Sequence, residues 1–205
     1  MTELDRLVLL DWRRRIAELY AAVRAAEPRA GWERWRATRD DLYAHHPASP
    51  IPAAERPGFP GLPMFDYDPA ARVVATVHPA EPAVVELAAG DGATYRSTRF
   101  ARAAFVLGGE PGELDLHWLD GYAGGVFLSF TDATSGPRTY GGGRYLLDTI
   151  KGADLGAVDG GLVLDFNFAY NPSCSYDPAW SCPLPSRANR LPFAVAAGEQ
   201  TASAV

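Results

Sequence analysis

An α+β fold, with two N-terminal helices followed by a mainly antiparallel curved β-sheet, is predicted by three observations. Apolar residues recur at helical spacing before residue 45, prolines then crowd a short stretch, and beyond residue 64 short runs alternate with period two between turn signals. A proline-rich loop over residues 171–192 follows the strands. The expected organisation is a helical hairpin at 1–45, a connector at 46–63 and a β domain at 64–205, together one compact unit.

Leu4, Val8, Trp12, Ile16, Leu19, Tyr20 and Val23 share one helical face, Thr2 followed by Asp5 resembles a capping box, and Pro28 closes the run. A second helix is expected from near Gly31. It carries Trp32, Trp35, Leu42 and Tyr43, with Arg34, Arg36, Arg39 and Asp40 facing mainly outward. The bland reading packs this hairpin on a sheet; a partner-binding arm is the alternative. Residues 46–63 hold six prolines and neither continue a helix nor sit inside a sheet. His45 and His46 read as a solvated pair, because adjacent side chains diverge and no third metal ligand follows at useful spacing.

The strand-like runs are RVVATVH, AVVELA, ATYRSTR, ARAAFVL, ELDLHWL, GVFLSFTD, RTYGGGRYLLD, LVLDFNFAY and FAVAA. The GDG and GGEPG links are short enough to demand antiparallel neighbours, and no helix intervenes to make a parallel crossover, so the sheet should curl into a barrel or a sandwich. In ELDLHWL, Leu114, Leu116 and Trp118 should point one way, with Asp115 and His117 on a polar or rim face. In LVLDFNFAY, Leu162, Leu164, Phe166 and Phe168 share a face, and Asp165 and Asn167 lie opposite, toward solvent or a pocket.

Composition narrows the function classes. A formal charge of −6, with arginines interleaved among acids, disfavours nucleic acid as a partner. No apolar run approaches a membrane span, and the start MTELDRLVLLDWRRR lacks signal-peptide form, so a cytoplasmic protein with reduced thiols is expected. The single lysine, Lys151, sits in the turn-like DTIKGAD, a poor place for Schiff-base chemistry. Nucleophile-elbow, phosphate-loop and zincin motifs are absent, and GGGRY at 141–145 lacks the strand-to-helix setting of a dinucleotide fingerprint. No cofactor and no metal is called for by any of these patterns.

The densest polar stretch is FTDATSGPRTYGGGRYLLD, residues 130–148. Asp132, Thr134 and Ser135 before Gly136 and Pro137 suit a turn that satisfies itself. The three glycines bring backbone close to something, and Arg144 between Tyr140 and Tyr145 needs a partner when buried. Asp132, Asp165 and Glu199 are internal candidates; an anionic ligand is the functional alternative.

These runs, FTDATSGPRTYGGGRYLLD, LDFNFAYNPSC, CPLP and NRLPFAVAAGE, resemble a bacterial and archaeal family of domains of unknown function, number sixteen-eighty-four. The resemblance covers residues 126–199 and, through SPIP and FPGLPMF, residues 49–65; the helices match loosely. It implies a shared polar set of Asp132, Tyr140, Arg144, Asn167, Tyr170, Asn171, Cys174, Cys182, Asn189, Arg190 and Glu199. Phe168 departs from the pattern where a basic or polar residue is expected, and SRA replaces a proline-rich link after CPLP.

Cys174 and Cys182 admit three readings: metal ligands lacking a second pair, a redox or nucleophilic pair activated by Arg187 or Arg190, or small buried residues locking the loop. Asn171 and Asn189 read as hydrogen-bonding staples of that loop. The leading functional expectation is an enzyme acting on a small anionic metabolite between the sheet and loop 171–192. Arg144 and Arg190, with Asn167, Tyr170, Asn171 and Asn189, would bind substrate, and Tyr140, Asp132, Glu199 and Cys174 would act on it. A small-molecule binding or sensing module without turnover, and a scaffold using the Trp32 and Trp35 helix, are the alternatives.

Overall fold

Helix α1 (Glu3–Arg24) ends before Pro28, which becomes the first residue of helix α2 (Pro28–His45) under a Glu27 cap. Proline at this position loses nothing, since its missing N–H would be unpaired there anyway. The computed structural model describes residues 3–122 and 124–201, so the Thr2 end of the expected capping box lies outside the described residues, as does the side chain of Leu4. Ile16, Leu19, Tyr20 and Val23 of α1 and Trp32, Trp35, Leu42 and Tyr43 of α2 form one apolar cluster with Ile51, Leu62 and Phe168. The helix pair is therefore a packed layer. Trp32 and Trp35, at 6% and 0% exposure, present no free aromatic face.

Seven strands follow: β1 (Arg72–Ala88), β2 (Thr94–Leu107), β3 (Glu110–Leu119), β4 (Gly125–Phe130), β5 (Arg144–Asp148), β6 (Ala157–Val158) and β7 (Gly161–Asp165). They make one sheet of order β5-β4-β3-β2-β1-β7-β6, with every neighbouring pair antiparallel. β5 and β6 end the order and do not pair with each other, so the sheet is open and is neither a closed barrel nor a sandwich. Four of the expected short runs fuse into two long strands: the ladder of β1 with β2 shifts register between Pro79 and Ala83, and that of β2 with β3 between Arg99 and Ala101. Bulges let a strand bend and continue where the sequence suggests a break. FAVAA, read as a last strand, is irregular chain whose carbonyls serve Arg144 instead.

Two alternation readings need correction. On β3, Asp115 and His117 are buried along with Leu114 and Leu116, while Trp118 is 43% exposed. Both faces of the strand's centre are covered, and His117 meets the Ser97 hydroxyl through Nδ1 at 3.2 Å. Burial pushes its pKa below the usual value. In LVLDFNFAY the strand stops at Asp165 and a 3-10 turn, Phe166–Phe168, follows. The turn sends Phe166 into the sheet core against Phe105 and Phe130, and Phe168 into the helix core 5.1 Å from Trp35. Asp165 and Asn167, expected on an open face, are buried, and the Asp165 carboxylate caps the turn by accepting from both the backbone N–H and the side-chain amide of Asn167.

The irregular segment 171–192 is tied down along its length. Leu184 N–H donates to Ala88 at 2.7 Å, Tyr145 hydroxyl donates to the Pro183 carbonyl at 2.6 Å, and Leu191 N–H donates to Thr131 at 2.8 Å. Gly143, with φ +88°, is the close approach expected of the glycine run. A Cβ there would stand 2.6 Å from both the Phe130 carbonyl and Pro185, so what the glycine admits is the loop's own proline.

Candidate functional site

Arg144 opens β5 and is fully buried. Its guanidinium meets the Asp132 carboxylate at 2.6 Å and donates to the carbonyls of Val195 at 3.0 Å, Ala197 and Glu199. Burial lowers its pKa and the Asp132 charge opposes that. The partner foreseen as either a carboxylate or a ligand is thus a carboxylate of the chain. Asp132 itself sits in the turn predicted for 132–137, accepting from the Thr134 N–H and hydroxyl.

A second ion pair is equally buried. Arg39, expected outward, is 4% exposed, stacked at 4.8–4.9 Å over Trp35, Tyr43 and Tyr170, and donates to Glu199 at 3.0 Å. A planar cation can fill such an aromatic cage while still meeting a carboxylate, which is why it is inside. Glu199 also accepts from the backbone N–H and the side-chain amide of Asn171, each at 3.1 Å. Likewise His46, read as solvated, is buried, accepting from Ala48 N–H through Nδ1 and meeting Asp11 at 3.1 Å; only His45 is exposed.

Full burial pushes the Glu199 carboxyl up from 4.5 to about 7, against the pull of Arg39 and the Asn171 N–H. A carboxyl with a raised folded pKa takes up a proton on folding between those two values. Its stabilising contribution is complete below about 4.5 and is lost as pH rises through about 7. Melting curves of the wild type and Glu199→Gln from pH 4.5 to 8 check this. The wild type is expected to lose about 3 kcal/mol relative to the variant across the window, at about 1.4 kcal/mol per pKa unit; a constant difference contradicts it.

Beside this pair lies a cavity of about 550 Å³. Its walls are the connector from Ile51 to Pro63, the chain at Asn171, Ser175 and Tyr176, the stretch Glu199–Thr201, and Tyr140. The C-terminal stretch is held there by pairing with the connector: Phe65 N–H donates to Gly198 at 2.9 Å and Gln200 N–H to Pro63 at 2.8 Å. The cavity therefore opens between loop and connector, and no strand of the sheet lines it. Three polar atoms on its lining residues, Asn171 Oδ1, Ser175 Oγ and Tyr176 OH, are buried and unpartnered.

Of the ten residues singled out from sequence, the cavity gathers Tyr140, Asn171 and Glu199. Cys174 does not line the cavity, but it acts on Tyr140, whose pKa is raised, first by burial and then by this thiol. Tyr170 is part of the Arg39 cage. Arg144 and Asp132 satisfy each other away from the cavity, and Arg190 is exposed elsewhere. Asn167 spends its amide on Asp68 and Asp165, and Asn189 spends its own on Asp115 and Ser129. Sequence reading missed Arg39, Ser175 and Tyr176. The last two lie in SCSYDP, where three hydroxyl side chains within a proline-stiffened loop were the available signal. Among the described residues no group of three or more His, Cys, Asp or Glu side chains is placed to hold a metal ion, and no helix is long and apolar enough to cross a membrane.

An open antiparallel sheet capped by a helix pair, with a cavity walled by proline-rich chain instead of strands, defines an α+β protein whose pocket is made by its connections. Comparison makes this particular: the chain belongs to the family described as Protein of unknown function (DUF1684), whose model matches residues 57–200. That span runs from within the connector through Glu199 and leaves out the helices. Among solved structures the chain is similar to an uncharacterised protein of Haloarcula marismortui determined by solution NMR. The two are 40% identical, with a TM-score of 0.59, over 82% of this chain and 91% of that one. No curated protein matches.

Proposed function

We propose that the protein binds a small uncharged polar molecule in the cavity between the connector and residues 171–176. The observation that carries this reading is the convergence of three unpartnered buried polar atoms, on Asn171, Ser175 and Tyr176, beside one cavity. Leaving such atoms without partners costs about 1–3 kcal/mol each, and a ligand that reaches them through a small shift of the cavity wall recovers that loss. A volume of about 550 Å³ falls within the range of small-molecule sites. Among the described residues none of the lining side chains is cationic, while Glu55 and Glu199 are acidic. This favours an uncharged ligand over the anionic metabolite expected from Arg144 and Arg190.

Binding without turnover is preferred because the Glu199 carboxylate already accepts three hydrogen bonds. Turnover is the second reading, favoured by Tyr140 beside a carboxyl that titrates near neutrality.

Thermal-shift screening with polyols, amides and nucleobases, followed by native mass spectrometry, tests the proposal. Ser175→Ala and Tyr176→Phe are expected to leave the free protein at least as stable as before, since each deletes an idle buried hydroxyl. Each should weaken the ligand found by about tenfold, about 1.4 kcal/mol. The reading is rejected if only anions stabilise the protein, or if the variants bind as tightly as the wild type. Time-dependent conversion of the bound compound would move the assignment to an enzyme.

A further inference from the structure

A second cavity, of about 380 Å³, lies on the other side of the loop and is lined by Trp12, Tyr95, Lys151, Trp180 and Cys182. Cys182 is 4% exposed and Cys174 half-buried; neither is bridged. The Cys182 sulfur accepts the backbone N–H of Cys174 at 3.4 Å, which sets the two cysteines against each other. That N–H belongs to the 3-10 turn Ser173–Ser175, which follows directly on Pro172. The stiff segment therefore holds a backbone donor and a second thiol against one sulfur that faces a cavity.

We propose that Cys182 and Cys174 form a redox-active dithiol site for a low-molecular-weight disulfide, with Cys182 as the attacking sulfur and Cys174 as the resolving one. The Cys174 thiol, donating its hydrogen bond, lowers the pKa of Cys182, and backbone N–H groups and the Lys151 charge act in the same direction. Cys174 is pushed up, first by the same hydrogen bond and then by burial, and so keeps its proton. The geometry carries the same asymmetry: the sulfur that receives the backbone N–H is also the one that lines the cavity, as sequential exchange requires of the attacking thiol.

The Cys182 thiolate attacks one sulfur of R–S–S–R, forming a mixed disulfide and releasing RS⁻. Cys174 then gives up its proton to solvent or to the released thiolate and attacks the Cys182 sulfur. The internal disulfide forms as the second RS⁻ leaves. The protein loses two electrons, the small disulfide gains them, and one of the two released thiolates carries the Cys174 proton. The cavity between Trp180 and Lys151 gives the incoming disulfide access to a sulfur that the loop otherwise covers.

The test uses the full chain with glutathione disulfide at several pH values, read by intact and peptide mass spectrometry. The wild type should lose two hydrogens and gain the Cys174–Cys182 bridge. Cys174→Ser should instead accumulate one glutathionyl group on Cys182, and Cys182→Ser should react at least tenfold more slowly at Cys174. The rate in Cys174→Ala, which removes the donor thiol, should show its inflection at higher pH than in the wild type. Attachment to Cys174 in preference to Cys182 would overturn the assignment. So would native wild-type protein that stays reduced under conditions that oxidise its urea-unfolded form.

Discussion

Arg144→Ala is expected to lower the melting temperature by about 10 °C or more and to leave little soluble protein at 37 °C. The substitution strands the Asp132 carboxylate in a site where it is fully buried, and takes the donors away from the carbonyls of Val195, Ala197 and Glu199. Removing one partner of a buried ion pair costs about 3–5 kcal/mol. At about 2–4 °C per kcal/mol for a chain of this size, the loss of the pair alone accounts for most of that shift. The paired substitution Arg144→Met with Asp132→Leu should recover only part of it, because removing both charges abolishes the stranded carboxylate yet still leaves the carbonyls without donors. Differential scanning calorimetry of the two variants and the wild type decides this. An Arg144→Ala protein as stable as the wild type would show that the guanidinium does not hold the C-terminal chain.

Asn189→Ala should be nearly as damaging, although it removes no charge. Strands β3 and β4 pair at His117 with Phe127, Trp118 with Val126 and Leu119 with Gly125, and then part. Two residues further on, the Asn189 amide stands between them: it accepts from Asp115 N–H at 2.7 Å and donates to the Asp115 carbonyl at 3.0 Å and the Ser129 carbonyl at 2.9 Å. One side chain thus does the work of a missing stretch of ladder. Alanine leaves three backbone groups unpaired in a site with no exposure, for an expected loss of about 3 kcal/mol or more. Asn189→Asp keeps the acceptor, loses both donors and adds a buried charge, so it should be no better. Urea titrations would show the midpoint falling with the slope unchanged. Hydrogen exchange should locate the loss at the Asp115 amide, and unchanged protection there would contradict the bridging role.

The helices, the antiparallel connectivity and the loop's role as a strapped-down cover were legible because each rests on local physics. Helical spacing marks α1, short GDG and GGEPG links force hairpins, and prolines forbid regular structure in the connector. Bulges were not legible, since register shifts at Pro79 and Phe100 are settled by partner strands. The site was harder for the same reason. Arg39 and Arg144 look alike in sequence, as does Arg190, and only long-range packing buries the first two and leaves the third in water. Asp132 was named among the possible partners for Arg144, but choosing it over a ligand needed the three carbonyls supplied by residues 195–199. Asn171 and Asn189 were foreseen as staples and are placed as such, whereas the unpartnered hydroxyls of the cavity-lining Ser175 and Tyr176 carried no pattern of their own.

Both buried guanidinium groups are completed by the same few residues. Arg39, on the second helix, finds its carboxylate 160 positions later at Glu199, and Arg144 finds its carbonyls at Val195, Ala197 and Glu199. During synthesis a ribosome would display the helix pair and most of the sheet while neither cation had its last acceptors. Hydrophobic collapse before that moment would enclose uncompensated charge, so the nascent chain has reason to stay loose. Residues 195–199 are then the step that lets the fold close, so the native state forms only once they have emerged, however early the helices and strands are made.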